Sequence, residues 1–361
     1  MIITRTPFRI SFFGGGTDYP GWYQENGGAV LATTVDKYCY ISCRYLPPFF
    51  EHKTRVAWSQ TEHVKSHDEI IHPAVRATLK FLGIEDGLEI HHDGDLPART
   101  GLGSSSAFTV GFLHALHALK RRMPTKKQLA LEAVEIERNL LQESGGVQDQ
   151  VVTAFGGLNR VSFSPNGEFS VDPLILDQNR LNELQNHLIL CFTGLSRSSS
   201  EIAREQSKNI FRKGRELSRM FEMVEEAASI LKGRSDLGEF GKLLDESWRI
   251  KRDLSDKISS LRVNQVYETA LEAGALGGKL LGAGGGGFML LFAPPEAHPR
   301  IKERLGGLLS VPFRFENRGT QVIFYEPDSH DRDGEFYKVP TDALEDSARR
   351  EALGLPPSPA R

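Results

Sequence analysis

The sequence predicts an α+β protein of two domains, residues 1–180 and 181–330, with an extended tail over 331–361. Three observations lead there. At 361 residues the chain exceeds the usual size of one hydrophobic core. Alternating segments on either side of Asn166-Gly167 mark a hairpin, so the early strands include antiparallel ones. After about residue 180 the pattern changes to a buried strand, a long charged helical region and returning strands, the layout of a second α+β domain.

In chain order, MIITRTPFRISFF alternates as a strand does, and CYISCRYL (39–46) reads as another, with Cys39 and Cys43 on one face. From Ser104 an apolar run continues through Val110, Leu113, Leu116 and Leu119. It is apolar nearly all round, which predicts a deeply buried helix. Pro124 interrupts it, and Thr125-x-x-Gln128 offers a capping box to the next helix. The VVTAF run after Asp149 reads as an apolar strand, and HLILCFTG as a buried one. A charged helical region is predicted over roughly 199–255, then strands in GGFMLLFAP and VPFRFENRGTQVIFYE. The last 30 or so residues, rich in Asp, Arg and Pro, carry little pattern.

A net charge of −3 argues against nucleic acid as the main partner, because phosphate contacts demand a basic surface. The basic run LKRRMPTKK reads as solvated turns. The N-terminus lacks the features of a secretory signal and no window has the apolar length of a membrane span, so a cytoplasmic protein is expected. Three cysteines, Cys39, Cys43 and Cys191, are too few for a disulfide scaffold and have no partners at zinc spacing.

The chemistry concentrates in glycine-rich islands. In DLPARTGLGSSSAF (95–108), residues Gly101, Leu102, Gly103, Ser104, Ser105 and Ser106 stand at the mouth of the buried helix. Helix N-termini present unsatisfied N–H groups and a partial positive charge, so this is a candidate phosphate cradle, against the alternative of a serine N-cap after a glycine turn. The Walker A, protein-kinase and Rossmann patterns do not fit. In FFGGGTDYPGWYQENGGAVL (12–31), three glycines expose Thr17 and Asp18, a carboxylate suited to a polyol or else a turn-forming Asp. In GGKLLGAGGGGFML (277–290), the glycines around Gly284 and Gly285 point to close packing against a ligand or another loop. Between these lies EAVEIERNLLQESGGVQDQ. Ala130, Val134, Glu137 and Leu141 fall on one helical stripe, which turns Glu137 inward as a metal candidate and leaves Glu135 solvated. Asp149 follows Gly145 and Gly146, an accessible place for a base acting on a hydroxyl.

TPFRISFFGGGTDY, PARTGLGSSSA and KLLGAGGGG, in that order with Glu137-Arg138 and Asp149-Gln150 between the second and third, resemble the three motifs of the GHMP kinases over residues 4 to about 295. The resemblance implies a first domain like domain 2 of ribosomal protein S5 and a ferredoxin-like second domain, with ATP and substrate between them. It implies Mg²⁺ on Ser105 and Glu137, a catalytic Asp149 assisted by Arg9, and a sugar held by Thr17 and Asp18. Its partners are then a small-molecule sugar or sugar phosphate, with neither nucleic acid nor membrane, in a monomer or homodimer. Galactokinases carry Gly-Glu-His-Thr-Asp where this chain reads Gly-Gly-Gly-Thr-Asp (14–18). GGGTDYP, VDKYCY and TGLSRSSSEI look most like the bacterial D-glycero-D-manno-heptose 7-phosphate kinases and next like the fucose kinases, both acting on an anomeric hydroxyl. For a phosphosugar, Arg197 beside hydroxyls is a candidate anion anchor; the alternative is a surface arginine beside a serine N-cap. A decarboxylase of the same fold, a non-catalytic binding protein and an oxidoreductase are weaker readings. The sugar-type GGGTDY, the retention of Ser105, Glu137 and Asp149, and the lack of any signal beyond glycine content speak against them in turn.

Overall fold

The computed structural model describes residues 1–47, 49–194, 204–205, 213–233 and 235–327. Arg197 and the expected tail over 331–361 lie outside the described residues, as does much of the region from 195 to 212. The strands are β1 (Ile2–Phe13), β2 (Gly28–Tyr45), β3 (Thr54–Ala57), β4 (Thr61–Val64), β5 (Leu88–Gly94), β6 (Asn159–Phe163), β7 (Phe169–Pro173), β8 (Leu188–Phe192), β9 (Gly277–Leu280), β10 (Phe288–Phe292), β11 (Leu309–Ser310), β12 (Phe315–Glu316) and β13 (Gln321–Tyr325). The helices are α1 (Pro20–Asn26), α2 (Pro73–Phe81), α3 (Ser104–Leu119), α4 (Lys126–Val134), α5 (Gln148–Phe155), α6 (Gln178–Asn186), α7 (Gly214–Lys232), α8 (Gly238–Arg252), α9 (Leu261–Glu272) and α10 (His298–Arg304).

β1 and β2 pair antiparallel along nearly their whole length, and the first half of β2 also takes β6 while its second half takes β5. Nine strands result, with β13-β1-β2-β5-β3-β4 as the main path. The other sheet runs β11-β8-β10-β9. Numbered within its own segment this is 4-1-3-2, all antiparallel, which is the ferredoxin-like arrangement.

Several sequence expectations meet this architecture directly. α3 is buried from Ser106 to Leu119 and packs on β1 and β2, as an all-round apolar helix must. The Asn166-Gly167 segment joins β6 to β7 through a turn in which Gly167 N–H reaches Ser164 O, with Gly167 at φ 84°. Thr125 caps α4 by accepting the Gln128 N–H, although the Gln128 side chain turns to Glu132 and leaves the box half made. All three cysteines are buried and free.

Two segments differ. VVTAF is not a strand: Gln148–Phe155 is helix α5, closed by Gly156 at φ 72°. A five-residue, largely apolar run with three β-branched residues cannot be told from a buried helical turn by periodicity. The final strands, expected with residues 181–330 in the second domain, cross back instead. β13 pairs with the open edge of β1, and β12 pairs with the stretch of β2 between its β6 and β5 partners, so each extended segment takes up backbone groups otherwise unpaired. Among the described residues no helix is long and apolar enough to cross a membrane.

Candidate active site

A cleft of about 870 Å³ opens where β1, α3, α5, α8 and the glycine-rich loop after β9 converge. At its centre, Arg9 and Asp149 form a fork: Arg9 Nε donates to Asp149 Oδ1 and Nη2 to Oδ2, each at 2.7 Å. Arg9 projects from β1 and is 4% exposed; Asp149 stands in the first turn of α5 with a quarter of its side chain open to the cleft. The third arm of the guanidinium donates to Gly101 O at 2.6 Å, so Arg9 also fixes the glycine loop. A buried bidentate pair of this kind adds little net stability, since desolvation offsets attraction, but it holds one carboxylate in one orientation.

The glycine loop ends at Gly103, in the left-handed region at φ 74°, and the first turn of α3 begins with Ser104, Ser105 and Ser106. A side chain at Gly101 would strike the carbonyl of Leu281, and Gly282 in turn lies against Gly101, so the loops before α3 and after β9 meet backbone to backbone. Part of the glycine island at 277–290 is therefore spent on the one at 95–108. Gly284 packs on Ile258 and Gly285 N–H reaches Ile258 O at 2.8 Å; neither lines the cleft, where Gly282 and Ala283 stand instead. Leu102 is likewise a core residue whose carbonyl accepts the Arg9 N–H.

Asp18 is 1% exposed at the cleft wall and accepts the Gly16 N–H at 2.9 Å and the Gln148 N–H at 3.3 Å. Burial pushes its carboxyl up; the Gly16 N–H opposes that and the charge of Asp149 reinforces it. Gly146 must be glycine, because a Cβ there would occupy the Asp18 carboxylate. Thr17 faces away: its single hydroxyl proton is shared between Gly14 O and Ala29 O, its oxygen accepts the Ala29 N–H, and it thereby locks the turn that presents Asp18.

Glu137 is 3% exposed, in a π-helical turn over Glu135–Leu140 that continues α4. Its Oε2 accepts the hydroxyl of Ser106 at 2.8 Å and the amide of Gln150, while Oε1 has no hydrogen-bond partner among the described residues. Burial, with the nearby Glu143, pushes the carboxyl up to about 8. The hydroxyl that meets Glu137 is thus that of Ser106. Ser105, one residue earlier, is exposed and lines the cleft. An orphaned carboxylate oxygen beside serine hydroxyls is a hard-oxygen donor set. Among the described residues no group of three or more His, Cys, Asp or Glu could hold a metal, so an ion here would draw its remaining ligands from phosphates and water, the habit of Mg²⁺.

The far end of the cleft is aromatic. His72 lies 4.7 Å from Phe108 and 4.9 Å from Trp58, centroid to centroid, and His92 lies 5.0 Å from Phe108. His72 is neutral: burial, aided by His92, lowers it to about 4.

The cleft therefore gathers Arg9, Asp18, Gly101, Gly103, Ser104, Ser105, Ser106, Glu137 and Asp149, and leaves out Thr17, Leu102, Gly284 and Gly285. Sequence reasoning missed the aromatic end and two lysines, Lys251 and Lys279, both buried in the wall. The signal for Lys251 was present: it extends the stripe Phe240, Leu244, Trp248 on α8, the argument that singled out Glu137.

Comparison with known proteins agrees with this architecture. The GHMP kinases N terminal domain family matches residues 69–157 and the GHMP kinases C terminal family residues 216–308. The D-glycero-alpha-D-manno-heptose 7-phosphate kinase of Campylobacter jejuni is 30% identical over 314 residues, covering 81% of this chain and 90% of that one. The bifunctional fucokinase/GDP-fucose pyrophosphorylase of Arabidopsis thaliana is 25% identical over 83% of this chain, which spans 30% of that longer protein. Among solved structures, a D-glycero-D-manno-heptose 1-phosphate kinase from Bacteriodes thetaiotaomicron superposes with a TM-score of 0.73 at 23% identity, covering 89% of this chain and 98% of that one. The chain belongs to the GHMP kinases and is an ATP-dependent sugar kinase.

Proposed function

We propose that this kinase transfers the γ-phosphoryl group of ATP to the anomeric hydroxyl of D-glycero-D-manno-heptose 7-phosphate, giving the 1,7-bisphosphate, a precursor suited to nucleotide activation. The observation that carries the site assignment is the fork of Arg9 on Asp149 beside the glycine loop, with Asp18 across the same cleft. The substrate assignment draws on the Campylobacter jejuni relative and on the Gly-Gly-Gly-Thr-Asp stretch at 14–18.

In this reading the loop from Gly101 to Ser106 holds the β- and γ-phosphates on the N–H groups of the first turn of α3, where the helix dipole favours anions. The adenine lies among Trp58, His72 and Phe108. Asp18 accepts a sugar hydroxyl. Asp149 orients the accepting hydroxyl and takes its proton, while Arg9 keeps that carboxylate aimed and adds positive charge beside it. Glu137 and the hydroxyls of Ser105 and Ser106 are the residues that would hold Mg²⁺, which when bound neutralises charge on the phosphates. Arg197, as the anchor for the substrate's own phosphate, lies outside the described residues and stands on its sequence setting alone.

A neutral sugar of the fucose type is the second reading, favoured by the Arabidopsis thaliana relative. The deciding experiment is Mg²⁺-dependent ADP release across heptose 7-phosphate, its unphosphorylated heptose, mannose, fucose and galactose, with the position of the new phosphate read by phosphorus NMR. Activity confined to heptose 7-phosphate with an anomeric product supports the proposal. Preference for a neutral sugar moves the substrate assignment and leaves the site assignment standing.

A further inference from the structure

Lys251 has no part in the assignments above. It sits in the last turn of α8, 8% exposed, and lines the cleft. Its Nζ donates to Leu280 O at 3.1 Å and to Gly282 O at 2.5 Å. An ammonium has three N–H donors, so one is left over. Lys242 and Arg249 on the same helix pair with Glu239 and Asp245, whereas the contacts of Lys251 are two neutral carbonyls, and among the described residues it forms no ion pair.

A buried cation without an anion is costly, and one retained in a cleft wall calls for an anion supplied from outside. The charged groups that act on Lys251 are Arg9 on β1, Asp18 in the turn after it, Asp149 on α5 and Lys279 on β9. Asp149 is already taken by the Arg9 fork, and the oxygens of Asp18 accept the Gly16 and Gln148 N–H groups. Three basic side chains, Arg9, Lys251 and Lys279, thus stand near two carboxylates, neither of which pairs with Lys251. The carbonyl contacts also fix where Nζ stands, since Gly282 rests on Gly101 of the glycine loop. Burial, aided by Arg9 and opposed by Asp18 and Asp149, lowers the ammonium to about 7, so an arriving phosphate favours its charged form.

We propose that Lys251 contacts the phosphoryl group in transfer, offering its remaining N–H to the oxygens that pass between the glycine loop and Asp149. This rests on reading the cleft as the ATP site. Lys251 forms no covalent bond in the step: the acceptor oxygen bonds to phosphorus, the bond from phosphorus to the departing ADP oxygen breaks, and the hydroxyl proton goes to Asp149. The lysine supplies charge, fixed in advance in a wall that excludes water.

The test uses full-length wild type, Lys251→Met and Lys251→Arg. Calorimetry with Mg²⁺ measures binding of ADP and of the non-hydrolysable analogue AMP-PNP, and steady-state kinetics use the sugar that the acceptor panel selects. The expected result for Lys251→Met is a kcat lower by about 100-fold and AMP-PNP weakened by about tenfold relative to ADP, with partial recovery in Lys251→Arg. ADP affinity close to wild type confirms that the variant is folded. Equal weakening of ADP and AMP-PNP would show that Lys251 only secures the glycine loop and would overturn the proposal, as would an unchanged kcat. A loss confined to the KM of a phosphorylated acceptor also overturns it, assigning Lys251 to the acceptor's own phosphate. Failure of the wild type to bind ADP would remove the ATP-site reading itself, a result distinct from all of these.

Discussion

The two ends of the cleft solve opposite problems. One end brings Arg9, Asp18, Glu137, Asp149, Lys251 and Lys279 into a largely buried wall, where each titratable group is held by a carbonyl, an N–H, a hydroxyl or an opposite charge. The other end is Trp58, His72, His92 and Phe108, rings in edge or tilted contact with no charge among them that burial has not suppressed. The first end is organised to act on charge that changes during a reaction. The second offers flat apolar faces and suits a planar base. Damage to the first should appear in turnover, and damage to the second in affinity.

The sharpest break is Asp149→Asn. Asn keeps the shape and one acceptor oxygen for Arg9 but cannot take a proton, so kcat should fall by about a thousandfold. ADP affinity should stay within about threefold of wild type, because nothing at the aromatic end is touched. Stopped-flow or steady-state turnover alongside calorimetry checks both halves. Turnover near wild type would remove Asp149 from its role and dissolve the contrast between the ends.

How much of this was legible in sequence follows the same division. Glu137 was found because a carboxylate on an apolar stripe has no solvated alternative, and the structure buries it. Asp149 was found as a loop acid although it stands on a helix, because access after two glycines does not depend on the element that follows. In the structure the hydroxyl that meets Glu137 is that of Ser106, while Ser105, the serine that the resemblance gives to Mg²⁺, lines the cleft. Sequence gives the mouth of a helix, whereas which hydroxyl turns inward depends on the angle at which α3 leaves Gly103. Gly284 and Gly285 went the way of the open alternative, packing on a neighbouring segment, and no sequence pattern separates a glycine that admits a ligand from one that admits another backbone. The aromatic end was invisible for a different reason. Trp58 follows β3, His72 precedes α2, His92 stands on β5 and Phe108 on α3, and only the tertiary fold brings them together.

At that end the effects should be smaller. Trp58→Ala removes an indole that meets His72 edge-on and donates to Glu62 at 2.8 Å. Loss of one aromatic wall should raise the KM for ATP by about tenfold, with kcat within about twofold. A kcat loss as large as that of Asp149→Asn would show that the two ends are not separable.

The smallest effect is the most specific. His72 precedes α2 and its Nδ1 accepts the Val75 N–H, so it caps the helix in its neutral form. Its folded pKa, lowered by burial and by His92 to about 4, lies below the value of 6.5 for a free histidine. Between these two values the unfolded chain binds a proton that the folded protein refuses, so this contribution to stability is present above pH 6.5 and is lost as the pH falls toward 4. Asn at position 72 retains a cap acceptor and does not titrate. Thermal unfolding followed from pH 7 to pH 4 should therefore show a shallower loss of Tm for His72→Asn than for wild type, at equal stability near neutrality within about 1 kcal/mol. His114, lowered to about 4 by burial and by His117, titrates in the same window and is untouched by the substitution, so part of the slope must survive. Parallel curves would mean that His72 is protonated in the folded protein and the aromatic end carries a charge after all. The division of the cleft into a charged and an uncharged end would then fail at the point where it is easiest to measure.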